Sequence, residues 1–373
     1  MRFCHIVPSL EERHGGPSKS VRAIADAQAA LGADVDLLAT QPPPATPGPV
    51  VPGTARNLNF ARQWPRQLYR SSGLRDHLRT TPYACVHSHA CWILTVRYAL
   101  AAAEAHRVPL VLSPRGMLTE WAYRHHRGRK VLANYLIHPG AFSRATGWHV
   151  TSPEEADDVR RLGFTQPVCV APNGVVLPDE AALAGARRAW QPMLAAAGPR
   201  RIALFYSRFH RKKRLRELLD LWLAAPRDGW YLLLAGLPEE FSTEEVKGWV
   251  TTAGAQDRVG VISGAGRPPP YAIASLFLLP SHSENFGLVI AEALAAGVPV
   301  LTTDTTPWRG LEREQAGWCV AWPDYPAALT AALAQPVAAL GTRGSRGRDW
   351  VSRDFTWASS ARRLLDFYRE LRP

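Results

Sequence analysis

The sequence predicts an α/β protein built from two doubly wound domains, each with a parallel β-sheet covered by helices on both faces. Short apolar runs typical of buried strands alternate with helical patterns throughout the 373 residues, which indicates parallel sheets. Twelve such runs fall into two groups of six, one group for each domain. The composition, with 46% hydrophobic and 20% charged residues, excludes a disordered or fibrous chain.

The elements follow one another in a regular order. Helical patterns lie between the strands, for example at 18–31, 94–106, 215–224 and 286–296. Ser152, Pro153 and Glu155 predict a helix start with a capping box and a proline at the first helical position. The predicted strands are 3–7, 35–39, 85–87, 110–112, 149–150 and 168–171 in the first half, and 202–206, 230–235, 259–262, 276–280, 298–301 and 318–321 in the second.

Turn-forming residues mark the boundary between the halves. Asn173-Gly174 is a turn signal, and Pro178 follows it before an Ala/Arg-rich stretch. The segment 41–53 carries six prolines, and we expect an exposed loop there because the strand–helix pattern resumes after it.

The net charge and the cysteine content limit the possible classes of protein but do not identify a function. The chain has 44 basic and 32 acidic residues, hence a net charge of +12, and residues 1–178 contribute 20 and 12 of these. Such a balance suits nucleic acid, an anionic membrane or phosphorylated ligands. No run of about 18 apolar residues suggests a membrane span. Five cysteines without an export signal predict reduced thiols in the cytoplasm.

Two segments at strand ends contain groups that bind phosphate. Gly15-Gly16 follows the first strand and opens a helix, where backbone amides favour an anion; an ordinary tight turn is the alternative, since the GxGxxG pattern is absent. The basic run from Arg208 to Lys213 follows the first strand of the second half. Arginine and lysine at that position suit a diphosphate, whereas elsewhere such a run is usually a solvated face.

The most specific pattern lies after the strand at 276–280. Glu284 falls in the loop at the strand end, and Glu292 follows about two turns into the next helix. Carboxylates accept hydrogen bonds from sugar hydroxyls, and the amides at the helix start favour a phosphate. The alternative is a capped surface helix with a solvated Glu292. The segment between the two carboxylates begins with Asn285, Phe286, Gly287 and Leu288.

This pattern resembles the E-x7-E signature of glycosyltransferase family 4, whose members are retaining GT-B enzymes that use nucleotide-sugar donors. The resemblance implies that Arg208, Lys213 and Glu284 are catalytic and that Glu292 holds the donor ribose. It also implies donor contacts from the remaining motif residues: Gly15, Gly16, Asn285, Phe286, Gly287 and Leu288.

The resemblance extends to nearly the whole chain and implies its domain organisation. Two Rossmann-like domains would face each other across a cleft, with the acceptor on 1–176 and the donor on 177–354. A C-terminal helix within 355–373 would cross back and complete the first domain. Two departures stand out: Arg214 occupies a position where the family usually has glycine, and Ser275 one where aspartate is common.

The first domain is similar to members that build bacterial polysaccharide or lipopolysaccharide. His89, Arg115 and Asn173 are its candidates for contact with the sugar or the acceptor, although many relatives place a histidine near Arg115. The resemblance implies retention, and no pair of carboxylates brackets the bond as in a retaining glycosidase. No acidic metal-binding triplet is evident, so we expect no metal and no cofactor. The co-substrate would be a nucleotide-diphosphate sugar, and the acceptor a glycan or a lipid-linked glycan.

Two further stretches carry open alternatives. Cys85, His87, His89 and Cys91 alternate along one strand, but on a straight strand they would span about 20 Å, too far for one metal ion. We therefore expect a strand end with buried thiols and with His89 facing the cleft. The stretch 121–137 mixes aromatic and basic residues, which suits an anionic membrane, RNA or a solvated helix.

Three other functions are alternatives to a glycosyltransferase. A phosphorylase-like enzyme would share the architecture, and an NAD or sugar-phosphate enzyme is disfavoured by the missing GxGxxG. A basic nucleic-acid- or membrane-binding protein without transferase activity is the main alternative, although we expect no nucleic-acid partner. The expected location is the cytoplasm, with peripheral attachment to the inner face of the membrane as an option. The sequence leaves the oligomeric state open.

Overall fold

Two parallel β-sheets organise the chain, each in its own compact unit. The computed structural model describes residues 1–11, 16–42, 53–124 and 127–372. The first unit contains Met1–Gly174 and the C-terminal segment that begins at Thr356, and the second unit is Val175–Phe355. All five cysteines are free thiols. Among the described residues, no helix combines the length and apolarity needed to cross a bilayer.

The first unit contains a seven-stranded parallel sheet in the order β3-β2-β1-β4-β5-β6-β7. The interior positions of its central strands are buried, as expected for a sheet covered on both faces. The strands are β1 (Arg2–Val7), β2 (Asp34–Gln41), β3 (Arg56–Ala61), β4 (Cys85–His89), β5 (Leu110–Ser113), β6 (Gly147–Val150) and β7 (Val168–Val170).

The expectation of six strands in this half is wrong, because β3 was not predicted. Its sequence, RNLNFA, alternates polar and apolar residues and is only partly buried. The strand lies at the sheet edge, where it pairs with β2 alone. An edge strand with one solvated face lacks the continuous apolar run that identified the other strands. In the proline-rich segment that precedes it, residues 43–52 lie outside the described residues.

The helices of the first unit that the sequence predicted begin at the expected residues or within two residues of them, with one exception in detail. The exception concerns the predicted capping box: the Ser152 hydroxyl accepts the Glu155 N–H at 3.2 Å, but the Glu155 carboxylate does not return to Ser152. It accepts the N–H groups of Thr151 and Gly116 at 2.8 and 2.6 Å, so it joins two loops instead. The helices are α1 (Gly16–Ala30), α2 (Ser72–Thr80), α3 (Leu94–His106), α4 (Glu120–Arg124), α5 (Arg127–Leu136), α6 (Ala141–Arg144) and α7 (Pro153–Arg161).

The second unit contains a six-stranded parallel sheet in the order β10-β9-β8-β11-β12-β13. Its strands are β8 (Arg201–Phe209), β9 (Trp230–Pro238), β10 (Val259–Ser263), β11 (Leu276–Leu279), β12 (Val300–Thr303) and β13 (Gly317–Val320). Its helices are α8 (Glu180–Ala189), α9 (Gln191–Ala197), α10 (Leu215–Leu223), α11 (Thr243–Thr252), α12 (Leu288–Ala295), α13 (Gly310–Arg313), α14 (Tyr325–Leu333) and α15 (Val337–Asp354).

The last helix, α16 (Trp357–Glu370), belongs to the first unit, as the resemblance implied. Leu364, Leu365 and Tyr368 are buried there in one apolar cluster with Phe3 of β1 and Val111 of β5. The chain therefore completes its first unit with its last helix.

Candidate active site

Each sheet has one point where the strand order reverses, and that point locates a crevice at the carboxyl ends of the strands. In the first sheet it lies between β1 and β4, and in the second between β8 and β11. Loops that follow these strands leave in opposite directions, which opens space for a ligand. The sequence-predicted site residues follow these strands: Gly16 after β1, His89 at the end of β4, Arg208 at the end of β8 and Glu284 after β11.

A buried ion pair between Lys213 and Glu284 forms the centre of the site in the second unit. The lysine ammonium donates to the Glu284 carboxylate, and both side chains are largely buried. The Ser281 hydroxyl donates to the same carboxylate oxygen at 2.6 Å. Lys213 closes the 3-10 turn Arg211–Lys213 after β8, so the pair joins two loops at the point where the strand order reverses.

The protonation of this pair follows from its surroundings. Burial raises the pKa of Glu284, but the Lys213 charge and the hydrogen bonds from Lys213 and Ser281 outweigh burial, and the net pKa lies below the ordinary value. Burial lowers the pKa of the neighbouring Lys212. Glu284 is therefore an ionised hydrogen-bond acceptor at neutral pH, and the site holds a carboxylate beside a cation.

Arg208 does not share the buried pair. Its guanidinium donates to Glu239, just beyond β9, at 2.5 Å, and its side chain is 45% exposed. Arg211 donates to Glu240 in the same way and is 76% exposed. Neither glutamate was predicted from the sequence, because Glu239 and Glu240 lie about thirty residues away from their partners and only the pairing of β8 with β9 brings them near.

The start of α12 explains why glycine stands at position 287. Gly287 is the N-cap in a left-handed conformation with φ of 75°, which a side chain adopts only with strain. A Cβ there would also lie 3.2 Å from the Ile290 side chain and 3.4 Å from the Trp308 indole nitrogen. The adjacent Phe286 ring is buried against Trp308 and Phe355, so only the backbone of Phe286 is available to a ligand. Asn285 and Leu288 flank this turn.

Glu292 is not a solvated carboxylate, so the alternative of a capped surface helix with a solvated Glu292 is wrong. It is partly buried in α12, and the Tyr271 hydroxyl donates to it at 2.9 Å. Burial, with the nearby Glu292 charge, raises the pKa of Tyr271 well above its ordinary value, so the phenol stays protonated as a donor. Tyr271 was not predicted as a site residue, because it lies in a 3-10 turn before β11.

In the first unit the structure brings the three sugar- or acceptor-side candidates together. Arg115 donates through Nε and Nη2 to Nδ1 of His89, each at 3.3 Å. It also donates through Nη1 to the Asn173 side-chain oxygen at 3.0 Å. Burial lowers the pKa of Arg115 to about 10, which still leaves it protonated at neutral pH. A charged guanidinium is thus held at the carboxyl end of β5.

The contact with Arg115 fixes the tautomers of a buried histidine chain. Since Arg115 can only donate, His89 Nδ1 must accept, and its Nε2–H donates to His5 Nδ1 at 2.9 Å. His5 Nε2 then donates to the Gln28 oxygen at 2.7 Å. Burial lowers the pKa of His5 to about 4 and that of His89 well below its ordinary value, so both imidazoles are neutral.

A second chain of buried hydrogen bonds lies beside the first, and its donors and acceptors can be assigned in the same way. His149 Nε2 donates to the Ala171 carbonyl at 3.0 Å, so its Nδ1 accepts from the Ser113 hydroxyl at 2.7 Å. Ser113 in turn accepts from His87 Nε2 at 2.8 Å, and His87 Nδ1 accepts from the Tyr368 hydroxyl at 2.5 Å. The second chain therefore joins α16 to the strand ends of the first sheet.

Among the described residues, one group of three histidines has the spacing of metal ligands: His5, His87 and His89, with one ring nitrogen of each within 4.8 Å of the others. All six of their ring nitrogens already have hydrogen-bond partners. The Arg115 cation also lies against His89, which disfavours a second cation. The arrangement thus fits a hydrogen-bond network better than a metal site, and Cys85 and Cys91 are buried thiols beside it.

Strained backbone marks the same edge of the first sheet. Ala90 and Trp92 follow β4 with φ of 92° and 58°, and Arg115 follows β5 with φ of 51°. Non-glycine residues adopt this region at a cost, and they concentrate at functional sites. Gly16 begins α1, and a Cβ there would meet nothing within 4 Å, which leaves room for a ligand. Gly15 lies outside the described residues.

Two family models match the chain in succession. Residues 15–174 match the glycosyl transferase 4-like domain, and residues 186–337 match the glycosyl transferases group 1. The two matches follow the two structural units closely in order and extent.

Curated relatives include enzymes of bacterial glycan synthesis. A GDP-mannose:cellobiosyl-diphosphopolyprenol alpha-mannosyltransferase from Komagataeibacter xylinus is 29% identical over 48% of this chain and 47% of that protein. A D-inositol 3-phosphate glycosyltransferase from Xylanimonas cellulosilytica is 26% identical over 77% of this chain and 72% of its own. The lipopolysaccharide core biosynthesis mannosyltransferase LpsB of Rhizobium meliloti is 30% identical over 39% of this chain and 44% of that protein.

Solved structures share the fold over nearly the whole chain. Sucrose-phosphate synthase from Thermosynechococcus elongatus aligns with a TM-score of 0.77 and 22% identity, covering 99% of this chain and 98% of that one. Anabaena HepE in complex with UDP and glucose aligns with a TM-score of 0.76 and 17% identity over 100% of both chains. At these identities the likeness concerns the fold alone.

Proposed function

The chain belongs to the group 1 glycosyltransferases of the GT-B fold, and from that premise we propose that it is a retaining enzyme that uses a nucleotide-diphosphate sugar. The observation that carries the proposal is the buried Lys213–Glu284 pair, with Ser281, where the strand order of the second sheet reverses. A cation and a carboxylate side by side suit the two parts of such a donor, because one binds phosphate oxygens and the other accepts from sugar hydroxyls.

Donor binding would use the loops of the second unit. Lys213 and Arg208 would bind the diphosphate and neutralise the charge that grows on it as the sugar–oxygen bond breaks. The amides at the start of α12, next to Gly287, would add positive potential at the same phosphates. Glu284 would accept hydrogen bonds from the transferred sugar, and Glu292, held by Tyr271, from the ribose.

The proposed chemistry is transfer on the front face of the sugar. The bond from the anomeric carbon to the diphosphate oxygen breaks as the acceptor hydroxyl forms its bond on the same face, so the configuration is retained. The hydroxyl proton passes to the departing phosphate oxygen, and no protein carboxylate is needed as nucleophile. In the first unit, Arg115, oriented by His89 and Asn173, would hold the sugar or the acceptor.

Substrate identity is proposed from the relatives. Two of the relatives described above are mannosyltransferases, and the name of one specifies GDP-mannose, so GDP-mannose is the first donor to test. Diphosphopolyprenol and lipopolysaccharide core occur in the same names, which favours a glycan or lipid-linked acceptor in surface-polysaccharide synthesis. We further propose that the protein acts in the cytoplasm.

Ligand-induced thermal stabilisation tests the donor site directly. We expect GDP or UDP at about a hundred times its dissociation constant to add about 2.7 kcal/mol to the stability of the wild type. Arg208→Ala should weaken that stabilisation. Arg211→Ala is the matched control, since Arg211 lies in the same basic run but is 76% exposed and pairs with Glu240. A folded protein that no nucleoside diphosphate stabilises would contradict the proposal.

Retention and independence from metal are tested by transfer itself. Product formed from an α-linked donor sugar should show an α-linkage by NMR. Transfer should proceed equally in the presence of EDTA, because Lys213 and Arg208 would supply the positive charge that a metal supplies elsewhere. An inverted linkage would exclude the front-face mechanism, and activity restored only by a divalent cation would exclude metal independence.

A further inference from the structure

A tight turn after β5 presents Arg115 from a strained backbone. The Met117 N–H donates to the Pro114 carbonyl at 3.0 Å and closes this turn over residues 114–117. Its two central residues, Arg115 and Gly116, both lie in the left-handed region, with φ of 51° and 78°. Glycine tolerates that region, whereas arginine adopts it at a cost. The turn therefore depends on its surroundings to keep Arg115 in place.

That support comes from one buried carboxylate at the start of α7. Glu155 is only 3% exposed, and its Oε1 accepts the Gly116 N–H at 2.6 Å. Its Oε2 accepts the N–H and the hydroxyl of Thr151 at 2.8 and 3.1 Å. Since Thr151 follows β6, the carboxylate joins the ends of two adjacent strands, β5 and β6. Hydrogen bonds to an ionised acceptor are among the strongest in proteins, so this bridge holds the turn firmly.

Glu155 also balances the charge that the turn presents. Burial lowers the pKa of Arg115 to about 10, and the Glu155 charge opposes that decrease. The Arg115 guanidinium is oriented by His89 and Asn173, to which it donates at 3.3 and 3.0 Å. A glutamate is rarely buried this completely without a partner. One carboxylate therefore supports both the backbone and the charge of Arg115.

We propose that Glu155 is a positioning residue for sugar transfer, which fixes the turn at 114–117 and thereby keeps the Arg115 guanidinium directed at the sugar or the acceptor. The proposal rests on the proposed function, in which Arg115 makes that contact. A carboxylate that only joined two loops would affect the stability of the first unit alone. A positioning carboxylate must also affect transfer, and it must do so through Arg115.

The kinetics of Glu155→Gln separate these two roles. Glutamine has a similar shape but offers one acceptor oxygen and no charge, so it cannot serve both Gly116 and Thr151. We expect kcat/KM for the acceptor to fall about tenfold or more, because small displacements of a binding group are costly in transfer. Stabilisation by nucleoside diphosphates should be unchanged, since Lys213 and Glu284 lie in the other unit.

A second variant, Glu155→Asp, keeps the charge and shortens the side chain by one methylene. The shorter carboxylate should withdraw from Gly116 and cause a similar loss of kcat/KM. This variant separates the geometry of the bridge from its charge, and it serves as the test where Glu155→Gln does not fold. Wild-type kinetics for the folded variants would overturn the proposal.

The matched control is Ser152→Ala, because the Ser152 hydroxyl accepts the Glu155 N–H at 3.2 Å at the same helix start. This variant weakens the helix cap but leaves the carboxylate bridge, so kcat/KM should stay within about twofold of wild type. In an Arg115→Ala background, Glu155→Gln should cost less than about twofold, because the two residues act as one unit. A full tenfold loss in that background would also overturn the proposal.

Nuclear magnetic resonance of the Arg115 Nε–H measures the positioning without transfer. The signal is identified by its loss in Arg115→Lys, and it should exchange slowly with water in wild type, since Nε donates to His89 in a buried site. Exchange should be about tenfold faster or more in Glu155→Gln and unchanged in Ser152→Ala. An unchanged signal in Glu155→Gln would contradict the positioning role. A wild type that transfers sugar from no donor would instead contradict the proposed function, and the exchange rates would still decide the role of Glu155.

Discussion

The buried lysine and glutamate at the centre of the second unit contribute to stability and to binding in different ways from the exposed arginine beside them. Lys213 and Glu284 are 7% and 10% exposed, whereas Arg208 is 45% exposed. Removal of one partner from a buried pair leaves an uncompensated charge. An exposed pair such as Arg208–Glu239 is screened by water. The two cations can therefore be distinguished by experiment.

We expect Lys213→Met to lower the free energy of unfolding by about 3–5 kcal/mol and Arg208→Ala by about 0–1 kcal/mol, measured by urea denaturation. Both should weaken nucleoside diphosphate binding. The double variant Lys213→Met with Glu284→Gln should recover much of the lost stability, because no charge is left buried alone. A double variant as unstable as Lys213→Met would show that packing, and not charge, causes the loss.

The four histidines of the two buried hydrogen-bonded chains predict acid sensitivity. Burial lowers the pKa of His5 to about 4 and those of His87, His89 and His149 well below their ordinary value. The unfolded chain therefore binds protons that the folded chain does not once the pH falls below about 6.5. Stability should be complete above that pH and fall below it, by up to about 1.4 kcal/mol per pH unit for each histidine.

Urea denaturation between pH 7 and pH 5 measures this slope above the range in which most carboxylates titrate. Protonation of Glu155 has the opposite effect on the free energy of unfolding. Burial raises the pKa of Glu155 despite its hydrogen bonds and the nearby Arg115, so the folded state binds this proton more readily and offsets part of the slope. His149→Gln removes one proton-binding group and should reduce the slope by up to about 1.4 kcal/mol per pH unit. A stability independent of pH across this range would exclude the neutral histidine chains.

At the scale of single elements, Arg214 shows where a departure from the family pattern has a physical cause. The position before α10 is left-handed, with φ of 51°, which explains why glycine is usual there. The Arg214 guanidinium lies 4.2 Å from the centre of the Trp322 ring. Stacking on tryptophan thus offsets part of the backbone strain.

Two substitutions separate strain from stacking at this cap. Arg214→Ala loses the contact with Trp322 and keeps the strain, while Arg214→Gly loses both. The left-handed conformation costs a non-glycine residue about 1–2 kcal/mol, and glycine costs up to about 1 kcal/mol of chain entropy. We therefore expect Arg214→Gly to be more stable than Arg214→Ala by about 0.5–1 kcal/mol in thermal denaturation. A more stable alanine variant would mean that the turn relaxes out of the left-handed region.

Elements buried on both sides could be predicted from sequence, and the elements missed were those without such a pattern. The apolar runs of β9, β11 and β12 predict these strands directly. The ends of the predicted strands then locate the loops after β8 and β11. β3 alternates and lies at an edge, so it carried no such run. The role of Glu155 was missed because its partner Gly116 is 39 residues away, and only the register of the sheet brings them together.

The candidate site residues divide in the same way into those that a local sequence pattern predicts and those that it does not. Motif spacing located Lys213, Glu284 and Glu292, since each lies just after a strand or within the helix that follows it. Three features depend instead on which strands are neighbours: the contact of Glu239 with Arg208, the contact of Tyr271 with Glu292, and the chain from Arg115 through His89 to His5. The residue His5 is in register with His87 across the β1–β4 pair, a relation that no local pattern in one sequence reveals.

At the scale of the whole molecule, the two ends of the chain belong to one unit and the middle to the other. α16 buries Ala361, Leu364 and Leu365 against the first sheet. The proposed donor groups Lys213 and Glu284 lie in the second unit. Since the cores are separate clusters, a core substitution should act on the unit that contains it, wherever it stands in the sequence.

Calorimetry with a bound nucleotide tests this assignment. Leu364→Ala and Leu278→Ala each remove a fully buried leucine and should each cost about 2–5 kcal/mol. Leu364 lies only nine residues before Pro373, yet Leu364→Ala should lower the transition temperature of the first unit. Leu278→Ala should lower that of the second. A saturating nucleoside diphosphate should raise the transition that Leu278→Ala lowers and leave the other unchanged, because the ligand stabilises only the unit that binds it. Rescue of the Leu364→Ala transition alone would place the principal nucleotide contacts in the first unit and exclude Lys213 and Glu284 as the donor site.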